Sequence, residues 1–179
     1  MMQSKNDQAK IFCKTGMQLL GLKKTEEALN YFNAAIELNP QHAESYSGKG
    51  SCLINLEKAE EALNCFNAAI FLKPDVAEFF NNKSCALLKL ERFYESLECA
   101  DKAIELKQSF FQAYCNKILS LSSLKRYEEL IKYADIAIDL NPEFIQLYKI
   151  KASALFQLKK YEESKVFFKK AKDLEFMQK

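Results

Sequence analysis

A skeleton that returns every 34 residues constrains this chain more than any other feature of it. In the stretch from Ala43 to Val76, Tyr46 lines up with Phe12, Phe80, Tyr114 and Tyr148, and Leu53 with Leu19, Leu87, Leu121 and Leu155. A strict period of this size means stacked copies of one supersecondary unit, each burying its apolar face on the next. Five units run 9–42, 43–76, 77–110, 111–144 and 145–178, after a polar extension over residues 1–8.

Each unit reads as two helices. In the second, Tyr46, Gly50, Leu53 and Leu56 recur at three- and four-residue steps, as do Ala62, Phe66, Ala69 and Ile70. Glu57-Lys58-Ala59 reads as the turn between them. Glu60-Glu61 opens the second helix, where carboxylates meet the positive end of the helix dipole. Pro74 stops it. All three prolines, Pro40, Pro74 and Pro142, hold this closing position, whereas the third and fifth units have Gln108 and Phe176 there. A less sharply broken junction is therefore expected after Lys107.

The pattern resembles the tetratricopeptide repeat: aromatic, small and large apolar on helix A, then small, aromatic and small on helix B. The marks are Tyr46, Gly50, Leu53, Ala62, Phe66, Ala69 and Pro74 in the second unit, and Phe12, Gly16, Leu19, Ala28, Phe32, Ala35 and Pro40 in the first. The resemblance implies an all-α, right-handed solenoid of five helix-turn-helix repeats, an αα superhelix. The fourth unit departs from it, with Ile118 and Leu130 at the two small positions and Ala134 in place of Phe66. That exchange reads as volume moved within one core, since uncompensated overpacking costs about 1–3 kcal/mol.

Composition excludes several functions. The 26 Lys and Arg are interleaved with 24 Asp and Glu, which supplies no basic field for nucleic acid. No apolar run suits a membrane span or a signal peptide. Six cysteines without a CxxC pair suit a reducing compartment, so a cytoplasmic protein is expected. The only histidine, His42, follows Pro40 in a turn and reads as a solvated residue, with no cysteine near it in the repeat geometry. Catalytic, metal and cofactor sites are all expected to be absent. Gly48-Lys49-Gly50-Ser51 falls inside a helix, so it is not a phosphate loop. The paired glutamates at the starts of the B helices are explained by the dipole.

One lysine column, Lys49, Lys83, Lys117 and Lys151, reads as stems packed along helix A with the ammonium groups reaching water or a carboxylate. A ladder of charge for an acidic peptide is the competing reading.

By resemblance, the A helices present a groove for an extended segment of another protein. The candidate groove residues are Ser47, Ser51, Asn81, Asn82, Cys85, Asn116, Leu119 and Lys149. Asn82 and Asn116 stand one repeat apart and carry the donors and acceptor that an extended peptide backbone needs. Leu20, Ile54, Leu88 and Phe156 offer steps for its side chains. The function expected is a non-catalytic adaptor or scaffold. The alternative is a subunit of a larger assembly, contacting through its convex face or its ends. A clamp for the acidic tail of heat-shock proteins is set aside, because no register of the repeats supplies that site's cations.

The stack is expected to end in a solvated cap. Leu29, Leu63, Leu97 and Ile131 give way to Lys165, and Ile36, Ile70, Ile104 and Ile138 to Lys172. On this reading the array stops there, and the chain is a monomer. Val166, with Phe167 beside it among Lys165, Lys169, Lys170 and Lys172, is the alternative: a small patch for an acidic partner or a second copy.

Overall fold

The structure, a computed structural model, describes residues 2–178. Ten helices are present among them: α1 (Met2–Gly21), α2 (Thr25–Leu38), α3 (Ala43–Asn55), α4 (Ala59–Leu72), α5 (Ala77–Lys89), α6 (Phe93–Leu106), α7 (Phe111–Ser123), α8 (Tyr127–Leu140), α9 (Ile145–Gln157) and α10 (Tyr161–Met177). They form five helix-turn-helix repeats, odd-numbered helices being the A helices and even-numbered the B helices. The chain divides into two compact units, one running through Arg92 and the other beginning at Phe93.

In the first unit each helix packs on its successor, and the A helices also touch, α1 on α3 and α3 on α5. Phe32 and Phe66 are fully buried beside Ala28, Ala35, Ala62 and Ala69. The glycines explain how the rings fit. A Cβ added at Gly48 would lie 2.2 Å from the Phe32 ring, and one at Gly50 would lie 2.5 Å from the Phe66 ring. Helix A therefore approaches an aromatic ring at a point that only glycine leaves open.

The second unit fills the same columns differently. Ile118, Leu130 and Ala134 are all fully buried, clustered with Leu121, Ala137, Tyr114 and Leu147. The volume has moved from the aromatic position to the two small ones, as the exchange in the fourth repeat implies.

All five A-to-B turns share one backbone device. Lys23, Glu57, Glu91, Lys125 and Lys159 adopt φ between 58° and 63°, and the next residue's N–H reaches back to a leucine carbonyl, as from Lys58 to Leu53 at 2.9 Å. This left-handed stop satisfies carbonyls that the ending helix leaves open. α3 ends at Asn55 and Ala59 is the first residue of α4, so the turn lies one residue earlier than the sequence reading placed it. The helix gains there because Lys58 sits at the N-cap and the two glutamates follow at once.

Between α6 and α7 lie four residues without proline, as many as between α4 and α5. The junction after Lys107 is thus as sharp as the others. Phe110 supplies the stop: it is buried and its N–H bonds to the Lys107 carbonyl at 3.1 Å. Residues 2–8 continue α1 rather than standing apart, and Asn39 Nδ2 donates to Asn6 Oδ1 at 2.8 Å. No helix among the described residues is long and apolar enough to cross a membrane.

Candidate functional site

Helices α1, α3 and α5 line two clefts in the first unit that share Ser51 and Asn82. The larger, about 460 Å³, is walled by Lys10, Cys13, Lys14 and Met17 from α1, His42 and Glu44 at the start of α3, Ser47, Gly48 and Ser51 farther along it, and Glu78, Phe79 and Asn82 from α5. The smaller, about 230 Å³, is lined by Leu20, Ser51, Ile54, Asn55, Phe66, Asn82 and Cys85. Both have an apolar floor and a polar rim, the form a side-chain pocket takes. A further cleft of about 430 Å³, by the α3–α4 turn and the end of α5, is walled chiefly by Glu57, Lys58, Glu60, Glu61 and Lys89. Its walls are the more heavily charged.

Four of the candidate groove residues thus meet at these clefts: Ser47, Ser51, Asn82 and Cys85. They are tied together. Ser51 Oγ donates to the Ser47 carbonyl at 3.1 Å, and Asn82 Nδ2 donates to Ser47 Oγ at 3.2 Å. Asn81 Nδ2 donates to Asn82 Oδ1 at 3.4 Å, although Asn81 lines neither cleft. The Asn82 amide keeps one N–H and one acceptor lone pair beyond these bonds. Burial pushes the Cys85 thiol up against a smaller opposing effect of Lys89.

The remaining three lie in the second unit. Asn116 is on α7, its carbonyl accepting Ser120 Oγ at 2.9 Å. Leu119, also on α7, is exposed. Lys149 on α9 is paired with Glu175 of α10.

His42 is not the solvated turn residue that its place after Pro40 suggests. It is the N-cap residue of α3, its side chain is only 13% exposed, and its ring bridges two partners. Nδ1 lies 2.7 Å from Ser45 Oγ, and Nε2 lies 3.5 Å from Glu44 Oε2. Cys13, expected to be remote, lines the same cleft and hydrogen-bonds Ser45. The two residues meet because α1 packs on α3, a contact that spacing along one repeat does not reveal.

Burial lowers the His42 pKa, with Glu44 opposing and Lys73 and Lys10 adding to the decrease. Burial pushes Glu44 up, but its hydrogen bond from Lys73, helped by its own backbone N–H and by His42, brings the carboxyl below its ordinary value. Cys13 is raised, chiefly by burial, with Ser45 opposing and Glu44 assisting. Nucleophile, imidazole and carboxylate therefore stand in line, yet Ser45 is fully buried and the Cys13 thiol is disfavoured as a thiolate. The line serves to fix the rim of the cleft.

Lys10, Cys13, Lys14 and Met17 were missing from the candidate set. The signal was available: Cys13, Lys14 and Met17 fall in the same repeat columns as Ser47, Gly48 and Ser51, and as Asn81, Asn82 and Cys85.

The lysine column resolves towards packing. Lys117 and Lys151 are each only 7% exposed. Lys117 pairs with Asp101 and sits 3.5 Å above the Tyr133 ring; Lys151 pairs with Asp135 and sits 3.9 Å above the Phe167 ring. Carboxylate and aromatic face together compensate each ammonium group. Neither is offered to a peptide. Phe167 is consequently turned inward, so the exposed aromatic residue near Val166 is Phe168.

Models of the tetratricopeptide repeat match residues 19–81, and again 77–110 and 145–176. The chain belongs to the tetratricopeptide-repeat family. No curated protein matches it in sequence. Among solved structures, MamA from Desulfovibrio magneticus RS-1 superposes with a TM-score of 0.87 at 23% identity, over 96% of this chain and 97% of that one. PilF from Pseudomonas aeruginosa gives 0.85 at 16% identity, over 95% and 78%. YrrB, described as having an unusual peptide-binding site, gives 0.78 at 20% identity, over 91% and 84%. At these identities the likeness establishes a shared tetratricopeptide fold and nothing finer.

Proposed function

We propose that the repeats over residues 9–178 form a non-catalytic protein-interaction module that holds an extended segment of a partner against its A helices. The observation that carries this reading is the pair of clefts joined at Ser51 and Asn82, with spare amide capacity on Asn82 at the seam. An extended segment has alternate side chains to bury and a backbone to satisfy, which matches two apolar pockets with an amide between them. Ser47, Ser51, Asn81, Asn82 and Cys85 serve the segment in the first unit, and Asn116, Leu119 and Lys149 in the second. YrrB, a tetratricopeptide protein of similar fold, is described as having a peptide-binding site, which supports a peptide as the ligand class. A buried Ser45 and a raised Cys13 thiol argue against chemistry at the same place. Six cysteines with no disulfide among the described residues favour a reducing, cytoplasmic setting.

The test is affinity capture from native extract, comparing the intact chain with Asn82→Ala and Asn82→Ala/Asn116→Ala by quantitative mass spectrometry. A partner held by the intact chain and released by the variants is the expected result. An unchanged captured set overturns the reading.

A further inference from the structure

Helix α10 carries a row of side chains that the clefts do not use. Tyr161, Lys165, Phe168, Lys172 and Phe176 follow at steps of four, three, four and four residues, so they share one side of the helix. In α2 and α4 the matching positions are Leu29, Phe32 and Ile36, and Leu63, Phe66 and Ile70, and each helix packs on the A helix that follows it. Phe32 and Phe66 are fully buried there, whereas Phe168 is 47% and Phe176 84% exposed. Lysine replaces both the leucine and the isoleucine.

We propose that this row is the docking site for an acidic amphipathic helix of another protein, with carboxylates opposite Lys165 and Lys172 and its apolar face over Phe168. Three observations specify this occupant. Phe32 and Phe66, in the same row, are fully buried under the A helix that follows each, so a helix is the element that covers a phenylalanine at this position. Lys169, Lys170 and Lys172 make no ion pair among the described residues, and Lys165 has only an exposed one with Glu162 at 2.8 Å, easily exchanged for a new partner. The lysines also alternate with the aromatic residues along the row, so charge complementarity and apolar contact fall on one face.

Other occupants fit less well. A second copy stacking head to tail would bring in α1, which presents Lys10 and Lys14 with exposed Ile11, and two copies of α10 would set lysine against lysine. A lipid surface favours a continuous apolar face, and this one is interrupted by Lys165 and Lys172 and flanked by Glu162 and Asp173.

The test uses the full chain and two synthetic helical peptides, one with glutamates seven residues apart around a central alanine, the other with lysines in their place. In fluorescence anisotropy the acidic peptide binds, salt weakens it, and the basic peptide does not bind. Lys165→Glu/Lys172→Glu weakens the acidic peptide about tenfold or more and admits the basic one, since two attractions become repulsions. Phe168→Ser weakens the acidic peptide, and Asn82→Ala leaves it unchanged, which separates this surface from the clefts. Circular dichroism confirms that the variants remain helical. Absence of binding, equal binding of both peptides, or unchanged preference in the reversed variant overturns the proposal. So does sedimentation showing a dimer that the reversed variant dissolves, or tighter binding to phosphatidylserine vesicles than to the acidic peptide.

Discussion

The two compact units solve one packing problem in opposite ways. In the first, large rings at Phe32 and Phe66 are accommodated by Gly48 and Gly50 on neighbouring helix faces. In the second, the fourth repeat lacks the ring and the bulk is shared between Ile118 and Leu130 around Ala134. Their charges differ as well. The second unit buries Lys117 and Lys151 over aromatic rings with aspartate partners, while at the aspartate position the first carries Asn33 and Asn67. Between these repeats, bulk has moved from one position to another while the helix pair is kept.

The sharpest way to break this comparison is to empty a column. Phe32→Ala is expected to cost about 3–5 kcal/mol in urea unfolding, because a closely fitted ring cannot be replaced by collapse onto α3. A much smaller loss would mean that the first unit is loosely packed. Next in size is a transplant. Ala134→Phe alone should cost about 1–3 kcal/mol by overpacking, and adding Leu130→Ala with Ile118→Gly should recover part of it. No recovery would show that the two solutions are not interchangeable.

Asp101→Ala should cost about 1–2 kcal/mol, since it leaves Lys117 partly buried with only the Tyr133 face to compensate it. The matching Asn67→Ala should stay within about 0.5 kcal/mol, as a surface change does. Equal effects would remove the electrostatic half of the comparison.

The smallest effect is a pH dependence confined to the first unit. His42 has its pKa lowered below the ordinary 6.5, so the unfolded chain takes up the proton first. Stability is full above pH 6.5 and falls as the pH drops towards the folded value. His42→Gln should flatten that part of a melting-temperature profile. A profile unchanged by the substitution would mean that the ring is solvated after all.

The period, the helix pairs and the exchange of volume in the fourth repeat were legible because each is written along one chain in a fixed register. Ser47, Ser51, Asn82 and Cys85 were legible for the same reason, being columns of the A helices. What spacing could not supply was contact made by packing. His42 and Ser45 meet within one turn at the start of α3, but Cys13 joins them only when α1 lies on α3. The choice between Phe167 and Phe168 as the exposed ring depended on where Lys151 would settle. The missing proline after Lys107 misled because a buried Phe110 does the same work.

The five left-handed turn residues bear on how this protein could be hardened. None is glycine, so each carries a Cβ crowded against a carbonyl, at roughly 1 kcal/mol relative to glycine, partly offset by the entropy glycine loses on folding. They recur once per repeat and share no neighbours, so the gains from substituting them should sum. Heat resistance could thus be raised in increments at the loops, leaving both the clefts and α10 unaltered. The natural chain sits below the thermal ceiling its own backbone permits.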